Sequence, residues 1–299
     1  MRNPFVTLSF IVFLLMGLCG ATAQTRVIVD ADTGNEVDDL FALARILMEP
    51  GVDVIALNAA HWQTSHWTEP RSMENSHRLN QQLLGEMGLS VPTFRGAPAR
   101  MYDWGDRAQH SAATYQIMER AGKLKNGEKL TILVLGALTN VASALFLKPE
   151  LDKKLKVYWL GSTMDFNKGV LKRNDFNSLM DPFALDLMLE SDTEMYVMPI
   201  NVASALTIER EQMAQEIGML PLGRFLMDRW QRHIDGGRKD RVLWDLGLIA
   251  AFLRPELAQT TVVKTSRDSG DRNITFYKQI DAKEIYQDFY QTLKASNTD

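Results

Sequence analysis

The sequence Asp30-Ala31-Asp32-Thr33-Gly34-Asn35-Glu36-Val37-Asp38-Asp39 is the most informative part of the chain. It follows the apolar run 27–29 and precedes Leu40, Leu43 and Leu47, which recur at helical spacing. This pattern predicts a strand, an acidic loop and a helix. At the carboxyl end of a strand in an open α/β sheet, side chains project into the crevice where ligands bind.

The acidic loop predicts a metal site. Five carboxylates in ten residues repel one another unless a cation lies among them, and Ca²⁺ prefers oxygen ligands. The alternative is local, because Glu36, Asp38 and Asp39 would lie in the first turn of the helix, where the macrodipole favours acids. That alternative leaves Asp30 and Asp32, on the strand side, unexplained.

Residues 1–23 have the composition of a secretory signal peptide. Arg2 precedes an apolar run, and Ala21-Thr22-Ala23 gives a small-x-small cleavage pattern. The apolar run is too short for a membrane-spanning helix. We therefore expect cleavage after Ala23 and a secreted or periplasmic protein. The only cysteine, Cys19, lies in the segment that would be removed, so the mature chain would contain no disulfide.

Residues 24–299 are expected to form one domain. They contain no repeat, low-complexity tract or Pro/Gly-rich linker, and their length is enough for one large core. The formal net charge of −4 argues against a nucleic-acid partner, which would require a basic stripe. No second long apolar run follows the signal peptide, so we expect no membrane contact after cleavage. The sequence leaves a homo-oligomer open.

Strand and helix patterns alternate along the chain. The apolar run Leu130 to Leu135 is typical of a buried parallel strand. The alternation predicts an α/β fold with an open, mostly parallel sheet flanked by helices and with functional residues at the carboxyl ends of the strands. The predicted strands cover 27–29, 52–57, 91–94, 130–135, 156–160 and 195–200, and the predicted helices cover 71–87, 112–121, 141–147 and 246–253.

Three further segments carry aspartates or a glycine turn near a predicted helix. The turn 136–140 leads from a strand into a helix, although such turns are common. In the loop 161–181, Asp181 before Pro182 is better explained as a helix N-cap than as a catalytic residue. Asp245, which opens the helix 246–253, is explained equally well as an N-cap or as a ligand.

The aromatic and basic segments each allow two interpretations. Trp62 and Trp67 fall within six residues on a loop after a predicted strand, which suggests a stacking surface, although ordinary packing is the alternative. The basic segment 238–241 could bind a phosphate, but charge runs are usually solvated loops, and we favour the loop. The histidines show no metal-ligand spacing, so zinc is not supported.

Four motifs together resemble the inosine-uridine nucleoside hydrolases. They are Asp-x-Asp-x-Gly-x-x-x-Asp-Asp at 30–39, Gly-x-Leu-Thr-Asn at 136–140, the acid-Phe-Asn triplet at 175–177 before Asp-Pro, and the late Asp245 opening a helix. The resemblance runs in order from Val27 to about Leu257. It implies an open α/β fold, a Ca²⁺ ion at the bottom of the active site and a small-molecule nucleoside or related riboside as the substrate.

The resemblance also implies roles for individual residues. Asp32, Asp39 and Asp245 would hold Ca²⁺ with their side chains, and Thr139 would do so with its backbone carbonyl. Asp32 would act as the catalytic base that deprotonates a water, and Asp30 would orient the loop. The residues expected to contact the substrate are Asp38, Asn177, Asp175, His61, Asn167, Trp62, Trp67 and Trp244.

The sequence departs from the best-known family pattern at three places. The acidic loop carries Asn35-Glu36-Val37 between Gly34 and Asp38, which is longer than the shortest family version and similar to a branch of secreted members. Trp244 stands where uridine-cleaving members often have a histidine, and an aromatic residue there is similar to purine-preferring relatives. His61 stands where members often have an asparagine. The favoured hypothesis is a secreted, calcium-dependent hydrolase that releases the base from nucleosides. The rival is a non-catalytic or differently specific protein that binds a sugar or nucleoside and retains the metal site.

Overall fold

The computed structural model describes residues 24–62, 71–101, 107–267 and 271–296. The predicted signal peptide, the cut after Ala23 and Trp67 therefore lie outside the described residues. Within these ranges no helix combines the length and apolar character needed to cross a membrane. The described strands are β1 (Thr25–Ala31), β2 (Val52–Ala59), β3 (Thr93–Phe94), β4 (Leu130–Val134), β5 (Leu155–Leu160), β6 (Thr163–Asp165), β7 (Val170–Lys172), β8 (Glu194–Met198), β9 (Thr207–Glu209), β10 (Asp240–Val242), β11 (Ala258–Lys264) and β12 (Asn273–Ile280).

Helices fill most of the connections between these strands. The described α-helices are α1 (Asp38–Leu47), α2 (Ser72–Glu86), α3 (Ala112–Gly122), α4 (Thr139–Leu147), α5 (Phe176–Met180), α6 (Pro182–Glu190), α7 (Ile200–Ala203), α8 (Arg210–Ile217), α9 (Pro221–Gln231), α10 (Trp244–Leu253) and α11 (Ala282–Ala295).

Eight strands form one sheet in the order β11-β12-β8-β5-β4-β1-β2-β3. All neighbouring pairs in it are parallel except β11 with β12, which are antiparallel at one edge. The predicted open, mostly parallel sheet is therefore confirmed. Because β1 lies between β2 and β4, the acidic motif leaves the interior of the sheet, where ligands of open α/β folds bind.

Helices cover both faces of the sheet, and β1 shows this in its own side chains. Val27 and Val29 pack into one core with residues of α1, α10 and α11, whereas Ile28 packs into the opposite core with residues of α3, α4 and α6. Strands buried on both faces are expected to be apolar at nearly every position, as these are.

The packing of α1 against α10 positions the site. Helix α1 begins directly after the acidic loop, and α10 begins at Trp244, about 200 residues later along the chain. Both helices are apolar along their buried faces, and both have buried aspartates in their first turn: Asp38 and Asp39 in α1, and Asp245 in α10. Burial of the helices against each other therefore brings together acids that are distant in sequence.

The structure differs from the sequence prediction mainly within and after the segment 161–181. The predicted loop contains the antiparallel hairpin β6–β7 and the short helix α5. Ile200, expected to end a strand, begins α7. These elements are only three to five residues long, so each offers too few positions for hydrophobic periodicity to indicate it.

Candidate active site

Three buried carboxylates converge where α1 and α10 begin. One oxygen from each of Asp38, Asp39 and Asp245 can be chosen so that all three lie within 4.8 Å of one another. The backbone N–H of Asp245 donates to Asp38 Oδ2 at 3.2 Å, which fixes the two helix starts relative to each other. Each residue is 3% exposed or less. Asp38 and Asp39 belong to the first of the four predicted motifs and Asp245 is the last, so the cluster joins acids from opposite ends of the chain.

Asp32 faces the same cavity from the strand side. The cavity has a volume of about 220 Å³, and Asp32 is 2% exposed in it. Gly136, in the turn after β4, allows this position, because a Cβ there would lie 2.8 Å from Asp32 Cγ. The remaining lining residues are Asn35, Glu36, Asp38, Asp39, Leu135, Leu160, Asp175, Phe176, Asn177, Ile200, Trp244 and Asp245.

Burial and mutual repulsion shift the titration of these acids upward. Burial, followed by the charge of Asp38, raises the pKa of Asp32 to about 8. Burial and the charges of neighbouring aspartates raise the pKa of Asp39 and that of Asp245 well above the usual range. Burial is also the main cause of the raised pKa of Asp38. A cluster of this kind is stabilised in its charged form only by a counter-charge.

The unpaired oxygens of the cluster fit a divalent cation. Asp32 Oδ2, Asp39 Oδ1 and Asp245 Oδ1 are buried and make no hydrogen bond within the part of the chain that the structure describes. Buried polar atoms are otherwise almost always satisfied, so unsatisfied oxygens that share one cavity need an explanation. Hard cations take several carboxylate oxygens as ligands, and this site offers them.

The local capping alternative explains part of the acidic motif. Asp38 and Asp39 do lie in the first turn of α1, but the N-cap is Val37, which has no side-chain cap bond. Asp245 likewise is not the N-cap of α10, because Leu243 holds that position. Asp181 is an N-cap as predicted, since its Oδ1 accepts from the N–H of Ala184 at 3.0 Å.

Asp30 is held apart from the cavity by amides. Its Oδ2 accepts from Asn58 Nδ2 and from Asn140 Nδ2, both at 3.0 Å. Burial raises the pKa of Asp30 to about 6, although these hydrogen bonds oppose the shift. Asn140 lies in α4, so Asp30 ties the end of β1 to the turn after β4. This geometry suits the predicted role of orienting the loop.

The wall opposite the cluster is built from the segment after β5. Both N–H groups of the Asn177 amide are taken, one by Leu135 O at 2.5 Å and one by Leu160 O at 2.9 Å. The Asn177 amide oxygen therefore is the atom suited to accept from a ligand hydroxyl. Asp175 lines the cavity but serves as the N-cap of α5, accepting from the N–H groups of Ser162 and Ser178.

The structure corrects two predicted contacts near β2 and α4. Thr139 does not line the cavity, whereas Leu135, four residues earlier, does. The Thr139 hydroxyl donates to Asp181 Oδ2 at 2.7 Å, so His61, 3.0 Å away, donates to Thr139 through Nε2. His61 is buried outside the cavity lining, and burial lowers its pKa to about 4, so it is neutral at pH 7.

Two other predicted substrate contacts also lie elsewhere. Asn167 is exposed in the turn between β6 and β7, where its backbone N–H donates to Asp165. Trp62 is 2% exposed and lines a separate pocket behind the acidic loop. A Cβ on Gly34 would lie 3.1 Å from the Trp62 ring, so the ring packs against the loop as a support. Trp244 is the only one of the three predicted tryptophans that the described structure brings to the cavity.

The basic segment 238–241 is not simply a solvated loop. Asp240–Val242 forms β10, paired with β9. The Arg241 side chain is 1% exposed and contacts Asp235 at 2.6 Å and Glu36 at 3.5 Å. The sequence did not indicate the burial of Arg241 or the inward position of Glu36, because a run of charged residues gives no sign of which member is buried.

Without a bound cation, the free energy of unfolding is expected to fall as the pH rises from about 6.5 to about 8.5. Asp32 and Glu36 have a pKa of about 8 and about 7 in the fold, against 3.8 and 4.5 when unperturbed. In this window the folded state therefore binds more protons than the unfolded state. A rise in pH favours the state with fewer bound protons, so the free energy of unfolding falls. His61, with its lowered pKa, acts in the opposite direction only below 6.5.

Thermal unfolding in EDTA at the two pH values checks this expectation. We expect a lower Tm at the higher pH, and a smaller difference when Ca²⁺ is present. A Tm in EDTA that stays constant or rises between the two pH values would contradict the electrostatic account of the cluster.

The fold and the site together define a class of protein. The sheet is open and mostly parallel, and a buried cluster of carboxylates lies at the carboxyl ends of its central strands. This cluster is suited to a divalent cation. Asn177 and Trp244 line the walls of the same cavity. This arrangement is that of an α/β enzyme with a ligand cavity beside a candidate metal site.

Comparisons with known proteins identify the family. The family model described as inosine-uridine preferring nucleoside hydrolase matches residues 27–287. The chain therefore belongs to the inosine-uridine preferring nucleoside hydrolase family, and it is a hydrolase of N-glycosyl bonds. The non-specific ribonucleoside hydrolase RihC of Salmonella newport (strain SL254) is 24% identical over 251 residues, which span 79% of this chain and 81% of that protein.

Solved structures of similar fold agree with this assignment. The plant nucleoside hydrolase PpNRh1 gives a TM-score of 0.71 at 19% identity, over 91% of this chain and 99% of that one. The purine-preferring ribonucleoside hydrolase from Gardnerella vaginalis gives a TM-score of 0.70 at 18% identity over the same shares. At these identities the likeness concerns the fold.

Proposed function

We propose that the protein is a calcium-dependent ribonucleoside hydrolase that prefers purine nucleosides. The observation that carries the proposal is the convergence of Asp38, Asp39 and Asp245 in one cavity. Asp39 and Asp245, together with Asp32 in the same cavity, each have a buried oxygen without a hydrogen-bond partner among the described residues. Ca²⁺ suits an all-oxygen site of carboxylates better than metals that favour nitrogen or sulfur ligands. Asp32 remains a predicted ligand and the predicted base.

Asp39 and Asp245, with Asp32 as a further predicted ligand, would hold the ion, which would supply Lewis-acid chemistry that lowers the pKa of a water. Asp32, at the edge of the cluster, accepts the proton of the attacking water. Asp38 accepts from a ribose hydroxyl, and the Asn177 amide oxygen accepts from another on the opposite wall. The carboxylates beneath the ring stabilise the positive charge that develops on the sugar as the bond to the base breaks.

The purine preference rests on Trp244. Its ring is half-buried at the cavity, directly before the metal-site residue Asp245. A base attached to a ribose held on the cluster would lie beside this ring, and stacking on tryptophan favours the larger purine. Phe176 lines the same cavity and offers a second aromatic surface.

A nucleoside panel tests the proposal. We expect the purified protein to release bases from purine nucleosides faster than from pyrimidine nucleosides, to lose activity in EDTA and to regain it on addition of Ca²⁺. If no nucleoside is cleaved while Ca²⁺ still raises the Tm, the protein binds the metal without the proposed turnover. Equal rates with purine and pyrimidine nucleosides would reject only the purine preference and leave the proposed hydrolysis intact.

We also propose that the enzyme acts outside the cytoplasm, on the basis of the signal-peptide composition of residues 1–23. The exported protein is then expected to begin at Gln24. Amino-terminal sequencing of the protein recovered from the exported fraction checks this, and an intact Met1 terminus would contradict it.

A further inference from the structure

Glu36 lies at the outer part of the cavity. It lines the same cavity as Trp244 and Asp245, but its side chain is 27% exposed, whereas the three clustered aspartates are 3% exposed or less. Glu36 is therefore nearer the mouth than the carboxylates at the floor. Trp244, also half-buried, shares this outer position.

A buried arginine holds Glu36 from behind. Arg241 Nη1 lies 3.5 Å from Glu36 Oε2, and Arg241 Nη2 donates to both carboxylate oxygens of Asp235 at 2.6 Å. The guanidinium also lies 5.7 Å from the centre of the Trp230 ring. With its side chain 1% exposed, Arg241 cannot move toward solvent, so it fixes one oxygen of Glu36.

The residue before Glu36 is fixed by the same segment. His233 Nε2 donates to Asn35 O at 2.9 Å, and His233 Nδ1 lies 3.0 Å from Asp235 Oδ1. Asp235 therefore contacts both Arg241, which holds Glu36, and His233, which holds Asn35. Among the residues that the structure describes, none makes a hydrogen bond to Glu36 Oε1, which is thus available to a ligand.

We infer that Glu36 is a specificity residue that accepts a hydrogen bond from an N–H donor on the edge of the leaving base, and that Arg241 is the positioning residue that aims it. The inference rests on the proposed function, in which the ribose occupies the floor of the cavity. The base then extends toward the mouth, between Trp244 and Glu36. Hypoxanthine, guanine and adenine all carry N–H donors on the edge remote from the sugar, and a carboxylate is an acceptor for them.

Steady-state kinetics with matched substrates test the role of Glu36. Inosine carries an N–H donor on its six-membered ring, whereas purine riboside has the same ring size without that donor. We expect Glu36→Ala to lower kcat/KM for inosine by about 10- to 100-fold, as loss of a hydrogen bond to a charged group does. For purine riboside we expect a change of less than about threefold. Glu36→Gln, which keeps an acceptor oxygen, is expected to restore part of the loss.

The matched control is Glu209→Ala. Glu209 lies at the end of β9, is 57% exposed and pairs only loosely with Lys239 at 3.6 Å, so its removal should leave the kcat/KM of both substrates unchanged.

For Arg241 we expect Arg241→Lys to reproduce the inosine-selective loss, and the double variant with Glu36→Ala to add little to Glu36→Ala alone. A loss from Arg241→Lys that is equal for both substrates would assign Arg241 a purely structural role.

The outcomes separate the inference from the proposed function. Cleavage of both substrates by the unmodified protein, with equal losses or no loss in Glu36→Ala, would overturn the inference and leave the proposed function intact. A loss in Glu36→Ala that is equal for inosine and purine riboside and that disappears with 5′-deoxyinosine would place the contact on the ribose 5′-hydroxyl and would also overturn the inference. If the unmodified protein cleaves no nucleoside in the presence of Ca²⁺, the proposed function fails and the inference fails with it.

Discussion

Asp32→Ala is expected to lower kcat by about 10³-fold, which is within the contribution of a general base to a hydrolytic step. Asp32 is buried at the edge of the cavity, and its Oδ2 has no hydrogen-bond partner among the described residues. An unengaged carboxylate oxygen beside the site of attack can accept a proton from water. Removing it takes away that acceptor while Asp38, Asp39 and Asp245 remain in place.

The control for this variant separates catalysis from binding. The measurement is single-turnover release of hypoxanthine from inosine at saturating Ca²⁺, together with the rise in Tm on adding Ca²⁺. We expect a smaller but measurable rise in Tm in Asp32→Ala, because the variant loses one predicted ligand while Asp38, Asp39 and Asp245 remain. Wild-type rates in Asp32→Ala would refute its assignment as the base.

Asp245→Asn is expected to abolish the rise in Tm that Ca²⁺ causes and to lower kcat/KM by at least about 100-fold. Even residues that only orient metal ligands cost about 10- to 100-fold when changed, so loss of a charged ligand should cost at least as much. The change is nearly isosteric and removes one buried charge. The apo protein is therefore expected to become more stable at pH 8, since the pKa of Asp245 is raised by burial and by Asp39.

Asp240→Asn provides the matched control for this prediction. Asp240 lies five residues earlier in β10 and is exposed. The Asp240→Asn variant should keep both the rise in Tm that Ca²⁺ causes and the activity unchanged. A retained rise in Tm with Ca²⁺ in Asp245→Asn would show that the ion binds elsewhere.

The sequence predicted the fold well where periodicity was long. The apolar strand before Asp30, the run 130–135 and the helical spacing after Asp39 each span enough residues to distinguish strand from helix. The short elements between 161 and 181 do not, so β6, β7 and α5 were missed. The longer elements β11, β12, α8, α9 and α11 were not predicted either. The parallel direction of most strands followed from the alternation, because parallel strands need crossover connections. The order of the strands in the sheet was not predicted.

The composition of the site was harder to predict than its place. The acidic loop indicated a metal site, but the local sequence explained Asp245 equally well as a cap, and only packing of α1 against α10 brings it to Asp38. Which residue of the turn after β4 lines the cavity depends on the path of the backbone, so Leu135 was missed in favour of Thr139. Trp62 packs against Gly34, a contact that no spacing rule encodes.

The most direct test of this account is a crystal structure of the protein with Ca²⁺ and ribose. We expect one ion bound by carboxylate oxygens of Asp39 and Asp245, with the ribose hydroxyls on the ion and Asp38 and Asn177 on either side of the sugar. An ion bound away from these aspartates, or ribose bound in another cavity, would contradict the central claim that acids from both ends of the chain form one sugar-binding metal site.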